Sequence, residues 1–226
     1  MEDGPGNSRD TRGSEDCPGC LWAQDCPVAQ LASLASFDPD TLLDDVAVFR
    51  SLQCIVAHKG LPIEVVDPSV LQLYSQPRTG VGPRRQEALD DLRKRKFIMM
   101  PVCLKRHWVL FVYSRRKQRL YYFDSLKKPG FKRMATNRVN RFLDCVYGHN
   151  AQRAAESAKW MKSSLQGEKP DCGLHVLLNA EKLMLEATGA AGGQEQIRPE
   201  EPAELRRCYR RRFENLGLDV SPEDLH

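Results

Sequence analysis

His107-Trp108-Val109-Leu110-Phe111-Val112-Tyr113 and Gln118-Arg119-Leu120-Tyr121-Tyr122-Phe123-Asp124 are two apolar runs separated by the polar link Ser114-Arg115-Arg116-Lys117. Aromatic and β-branched residues dominate both, and the link reads as a turn, so the pair predicts a β-hairpin. A turn centred between Arg115 and Arg116 sets His107 directly opposite Asp124. Opposed residues have Cβ atoms about 4.5–5.5 Å apart, within reach of an imidazole-to-carboxylate hydrogen bond. Alternation puts His107, Val109 and Phe111 on one face with Leu120, Tyr122 and Asp124. Trp108, Leu110 and Val112 share the other with Arg119, Tyr121 and Phe123. Both faces are largely apolar, which predicts a central strand pair covered on both sides. A polar pair at the open end of such a hairpin is either a tie for the strand end or part of a functional site.

Outward from the hairpin, Phe97–Leu104 predicts a third strand and 157–163 a fourth. Asp38-Pro39 is a helix start signal, continued by Leu42, Leu43, Val46, Phe49 and Leu52 at helical spacing. Asp67-Pro68 repeats the signal for a short helix through Tyr74, residues 76–83 read as a loop, and 84–96 as a charged helix. Residues 131–147 form an amphipathic helix with Met134, Val139, Phe142, Leu143 and Val146 on one face. Residues 172–187 are almost wholly apolar, a helix buried on most sides. A last helix, about 200–216, carries Leu205, Cys208, Tyr209, Phe213 and Leu216 on one stripe, with Arg206, Arg207, Arg210 and Arg211 outside it. These elements predict a single α+β or α/β domain over 29–216. A disordered acidic tail is expected over 1–28 and a short tail over 217–226.

The 226 residues are 41% hydrophobic and 28% charged, the composition of a globular protein with a core. No apolar run approaches the roughly 18 residues of a membrane span, so no membrane partner is expected. The first residues are acidic and polar where a secretory signal is basic and then apolar. The 8 cysteines are therefore expected as free thiols in a reducing compartment, nucleus or cytoplasm. Cys17, Cys20 and Cys26 lack the second ligand pair of a structural zinc site, and no metal is expected. Charge is uneven: the first fifty residues carry 3 basic and 10 acidic side chains, whereas 101–150 carry 12 basic and 2 acidic. Such a surface favours an acidic partner, but a pI of 8.6 falls short of the usual nucleic-acid footprint, and a monomer without nucleic acid is expected.

Cys172 follows Gln166-Gly167-Glu168-Lys169-Pro170-Asp171 and opens the buried helix. At a helix start, unpaired N–H groups and the positive dipole end favour a thiolate, the nucleophilic form of cysteine. Asp171 reads as an N-cap, and its charge works partly against the thiolate. Gly173 lets a substrate backbone approach without a Cβ in the way. The Gln166 amide, with the Cys172 N–H, offers two donors to an oxyanion. Cys54, Cys103, Cys145 and Cys208 read as core thiols.

His107-Trp108, Asp124-Ser125 after a hairpin, and Gln166 ahead of Asp171-Cys172-Gly173 together resemble the Ulp-type, or sentrin-specific, cysteine proteases. Thr41-Leu42-Leu43-Asp44-Asp45 is similar, more weakly, to a helical segment of the same family. The resemblance spans about 38 to 187. It implies a papain-like fold with permuted His-Asp-Cys order, a central, mainly antiparallel sheet flanked by helices, and no cofactor. It also implies His107 as general base, Asp124 as its orienter, Cys172 as nucleophile and Gln166 as oxyanion donor. Trp108 would wall a tunnel for the Gly-Gly tail of a ubiquitin-like modifier, and Asp45 would meet a basic residue of that modifier. Leu42 stands where the family usually has a tryptophan that helps clamp the tail, so a difference in affinity or in modifier choice is expected. Pro170 and Gly167-Glu168 also depart from the family pattern. Two other readings share these residues: an inactive modifier-binding scaffold, and an acyltransferase using the same cysteine, histidine and aspartate.

Overall fold

All eight residues of the strand His107–Ser114 are buried in the computed structural model, which describes residues 33–58, 62–74, 83–148, 158–167, 169–188 and 202–216. That strand is β3 of a sheet whose other strands are β1 (Ile63–Val65), β2 (Phe97–Leu104), β4 (Arg119–Phe123) and β5 (Lys159–Trp160), in the spatial order β1-β2-β3-β4-β5. The long strands β2, β3 and β4 pair antiparallel, and the short outer strands run parallel to their neighbours. Being central, β3 has no solvated face, which is why its sequence is apolar at successive positions.

The alternation of side chains across the sheet divides the core in two. Met99, Trp108, Leu110, Val112 and Phe123 point to the side covered by α1 (Asp45–His58), α5 (Cys172–Thr188) and α6 (Pro202–Leu216). Ile98, Met100, Val109, Phe111, Leu120 and Tyr122 point to the side covered by α2 (Pro68–Tyr74), α3 (Pro83–Lys94) and α4 (Pro129–Tyr147). The arrangement is an α+β domain of three layers with a mixed, mainly antiparallel sheet.

Several expectations are corrected. The hairpin turn is centred between Arg116 and Lys117, pairing Ser114 with Arg119 and Phe111 with Tyr122. Gln118 closes it in a left-handed conformation (φ 43°), its N–H donating to the Arg115 carbonyl at 3.3 Å. The register is thus displaced by two residues, an even number, so every side chain keeps its face. The helix expected from Asp38-Pro39 begins instead at Asp45, with Asp44 Oδ1 accepting from the Ala47 N–H at 2.7 Å. Residues 38–44 form a non-helical strap, because Asp40 is left-handed (φ 60°) and the Asp38 carbonyl is taken by Thr41 Oγ1 at 2.6 Å. Met134 is exposed rather than buried, and Arg206 is buried rather than exposed. The strand expected over 157–163 is only Lys159–Trp160. Strand β1 had no sequence signal, three residues being too few for a period to register. The expected tails and the cysteines 17, 20 and 26 lie outside the described residues, as do most of the expected loop 76–83.

The β2–β3 link is a two-residue turn in which Lys105 and Arg106 both have positive φ, 48° and 62°. Such turns match the twist of a hairpin but favour glycine or asparagine, so two long basic residues hold strained backbone here, next to His107. The central strand also offers a simple stability check. Phe111 is fully buried, and Phe111→Ala should destabilise by about 3–5 kcal/mol in urea unfolding.

Candidate active site

Three stretches of chain meet at the end of the sheet where β3 begins and β4 stops. His107 is the first residue of β3, held there by the tight turn before it. Asp124 follows the last residue of β4 and is 1% exposed. Four hydrogen bonds satisfy its carboxylate: Oδ1 accepts from His107 Nε2 and the Leu126 N–H, both at 2.8 Å, and Oδ2 from the Tyr122 hydroxyl at 2.9 Å and the Lys128 N–H at 3.2 Å. With the register moved by two, the His107–Asp124 pair forms across a diagonal of the hairpin rather than directly opposite. Phe131, in the first turn of α4, packs edge-on against the imidazole with ring centroids 4.9 Å apart.

Cys172 is the first residue of α5 and is buried. The preceding carbonyl, that of Asp171, opens the helix by accepting from the His175 N–H at 3.1 Å. The Asp171 carboxylate is turned to Arg206 of α6, whose Nε and Nη2 donate to Oδ1 at 3.1 and 2.8 Å. The Cys172 thiol lies 4.0 Å from the Arg106 carbonyl, and it is near enough to the His107 imidazole to help raise its pKa. Nε2 being committed to Asp124, the nitrogen left for sulfur is Nδ1.

Burial by itself would lower the His107 pKa. The hydrogen bonds to Asp124 and Cys172, and the negative charge both can carry, outweigh it and push the value up to about 9. Asp124 moves the other way: burial would raise it, but the bonds from His107, the Leu126 N–H and Tyr122 hold it below the usual carboxylate range. The site is therefore built to hold an imidazolium against a buried carboxylate at neutral pH, beside the Cys172 sulfur. That combination favours proton transfer from sulfur to nitrogen, the step that makes a cysteine nucleophilic.

Gln166 sits on a loop, 161–167, tied to the same end of the sheet. Its N–H donates to the Ser125 carbonyl at 3.3 Å, Ser125 Oγ donates to its Oε1 at 2.6 Å, and its Nε2 donates to the Lys169 carbonyl at 3.2 Å. Ser163 Oγ donates to the Asp124 carbonyl at 2.9 Å, and Ser164 Oγ meets His175 Nδ1 at 2.7 Å. The residues expected to contact substrate lie on the opposite side of Cys172. Trp108 is buried beneath the strap, its Nε1–H donating to the Leu43 carbonyl at 2.7 Å. Gly173 faces Leu43 so closely that an added Cβ would come 2.8 Å from Leu43 Cβ. Leu42 is half-buried on the strap. Asp45 is exposed at the start of α1, where desolvation and then its neighbours Asp44 and Asp67 raise its pKa against the pull of Arg138. Among the described residues no cluster of three metal-ligating side chains occurs.

Sequence reasoning missed Ser125, Tyr122 as a partner of Asp124, and Arg206. Ser125 was visible only as the neighbour of Asp124. Arg206 carried a clearer signal, standing three and seven residues before the apolar Tyr209 and Phe213 on one helical stripe.

The model of the Ulp1 protease family, C-terminal catalytic domain, matches residues 71–191. Solved structures share the fold. The Ulp1 protease domain in complex with Smt3, the yeast ortholog of SUMO, is 18% identical with a TM-score of 0.59 over 84% of each chain. A de-sumoylating protease is 13% identical with a TM-score of 0.61, over 83% of this chain and 86% of its own. The Xanthomonas campestris effector XopD, bound to ubiquitin, is 20% identical with a TM-score of 0.55, over 77% of this chain and 90% of its own. No curated protein matches at the sequence level.

The imidazole makes a direct test. Its resonance should titrate near pH 9 by NMR. In Cys172→Ala and in Asp124→Asn the midpoint should fall, since each change removes a contribution that raises it. A midpoint unmoved in both variants would refute the coupling.

Proposed function

The chain belongs to the Ulp1 protease family and is a cysteine peptidase, and from that premise we propose that it cleaves after the C-terminal Gly-Gly of a ubiquitin-like modifier by acyl-enzyme chemistry. The observation that carries this reading is the His107 imidazole, bound through Nε2 to the buried Asp124 at 2.8 Å and raised in pKa in part by Cys172 at the start of α5.

In this reading the thiol proton already resides on His107 as an imidazolium, and the Cys172 thiolate attacks the carbonyl carbon of the terminal glycine. The resulting oxyanion accepts from the Cys172 N–H and from Gln166 Nε2, one of whose hydrogens is already on the Lys169 carbonyl while the other serves the substrate. The imidazolium then gives its proton to the departing amine, the carbon–nitrogen bond breaks, and a thioester remains. His107 next deprotonates a water that attacks the thioester, releasing the modifier's carboxylate and returning the thiol. Asp124 holds the imidazole in orientation throughout. The modifier tail would run along the outside of the strap that Trp108 anchors through the Leu43 carbonyl, a strap that packs on Gly173 where a side chain would collide with Leu43. Leu42 offers a smaller lid over that path than an indole. Asp45, exposed at the strap's end, is available to a basic residue on the modifier's surface.

Incubation with SUMO, the neddylation modifier and ubiquitin, each bearing an electrophilic C-terminus, tests the reading. One of the three should form a covalent adduct that is lost in Cys172→Ala. Binding without adduct would point to a scaffold, and acetyl transfer from a thioester donor to an acyltransferase. On the modifier that reacts, Cys172→Ala should lower kcat by several orders of magnitude, with His107→Ala nearly as severe. Gln166→Ala should lower kcat by about 10²–10³. Activity should fall as pH rises through about 9, where the imidazolium is lost.

A further inference from the structure

Arg206 is a buried cation on a helix whose Arg207, Arg211 and Arg212 are exposed. Its guanidinium binds both the strap region and the backbone that leads into Cys172. On the strap side, Nη1 donates to the carbonyls of Ser36 at 3.2 Å and Asp38 at 3.1 Å, and Nη2 to that of Thr41 at 2.6 Å. On the nucleophile side, Nη2 donates to the Pro170 carbonyl at 3.3 Å, and Nε and Nη2 converge on Asp171 Oδ1. Except for Ser36, which lies in a single 3-10 turn (Ala35–Phe37), these carbonyls belong to non-helical backbone, and this one side chain supplies donors that a helix or sheet ladder would otherwise give.

The electrostatics matter as much as the bonds. Asp171 and Cys172 are adjacent at the start of α5, where the helix favours negative charge. Two anions there would compete, and an uncompensated carboxylate next to sulfur would disfavour the thiolate. A guanidinium on that carboxylate removes the competition. The other titratable groups facing the thiol are His107 on β3 and Cys103 on β2, with Asp124 behind the imidazole. Burial, with the nearby Asp45 and Cys172, pushes the Cys103 thiol up to about 11, so it stays neutral.

We propose that Arg206 is a positioning residue for the nucleophile: it neutralises Asp171 so that the start of α5 favours the Cys172 thiolate, and it fixes the strap and the 170–171 backbone on either side of the sulfur. The inference rests on Cys172 being the nucleophile, but its test needs no modifier. The readout is the rate at which iodoacetamide alkylates Cys172 in the full chain at neutral pH, followed by mass spectrometry of the peptide that carries it.

Arg206→Met should slow alkylation about tenfold, the scale of one uncompensated charge at close range. The double variant Arg206→Met with Asp171→Asn removes both charges and should return the rate to within about twofold of wild type. Its melting temperature should stay as low as that of the single variant, because the strap carbonyls are still without their donor. A double variant that alkylates as slowly as the single one would overturn the proposal and leave Arg206 a structural tie only. Should Arg206→Met fail to fold, Arg206→Lys carries the same test, keeping the charge while losing most of the bonds. Alkylation within about threefold of wild type at a lowered melting temperature supports the proposal, and a tenfold loss overturns it. If wild type alkylates as expected but forms no adduct with any modifier probe, the proposed function fails while this inference stands.

Discussion

Asp124 is a carboxylate sealed from water at the end of a β-strand, and the rest of the site is arranged by the need to satisfy it. A buried ionised group is tolerated only when its lone pairs are met, and here four donors meet them. Two are backbone N–H groups of residues 126 and 128, which fold the chain leaving β4 into a tight loop around the carboxylate. A third is the hydroxyl of Tyr122, itself fully buried on the α4 side of the sheet. The fourth is the imidazole. Because the first three are fixed by backbone and core, the histidine has one orientation that completes the shell, and that orientation leaves Nδ1 free of the carboxylate.

Much of this was readable in the chain, for reasons that differ from residue to residue. The pairing of His107 with Asp124 followed from two apolar runs of opposite direction. It survived an error in the turn because a displacement of two leaves faces unchanged. Cys172 was legible because an acidic residue, a cysteine and a glycine stand directly before a long apolar helix. The strap was not. Asp38-Pro39 is a sound local signal for a helix, but the carbonyls that a helix would need are claimed by a guanidinium from residue 206, and no window of local sequence contains that competitor. The same distance hid Arg206. A helix with several arginines reads as a solvated face until one of them is found to have oxygens waiting for it.

The two sides of the site are supported by different physics. The loop with Gln166 is held by serine hydroxyls at 125, 163 and 164, each in a single hydrogen bond of ordinary length. Such contacts contribute about 1 kcal/mol apiece and leave the loop adjustable. The strap is held by the Trp108 indole and by three of the carbonyls that the buried Arg206 gathers, those of Ser36, Asp38 and Thr41. One flank is thus free to adjust while the other is held rigid.

The long reach of Arg206 has a bearing on how the chain is made. Its strap acceptors lie 165 to 170 positions upstream, whereas its nucleophile-side partners are only 35 or 36 away. On a ribosome, the sheet and the helix that begins at Cys172 emerge well before α6 clears the exit tunnel. Until it does, the carboxylate beside the sulfur has no counter-ion and the strap has no anchor. A nascent chain that has exposed α5 but not α6 thus holds the cysteine in place while the carboxylate beside it still waits for its guanidinium.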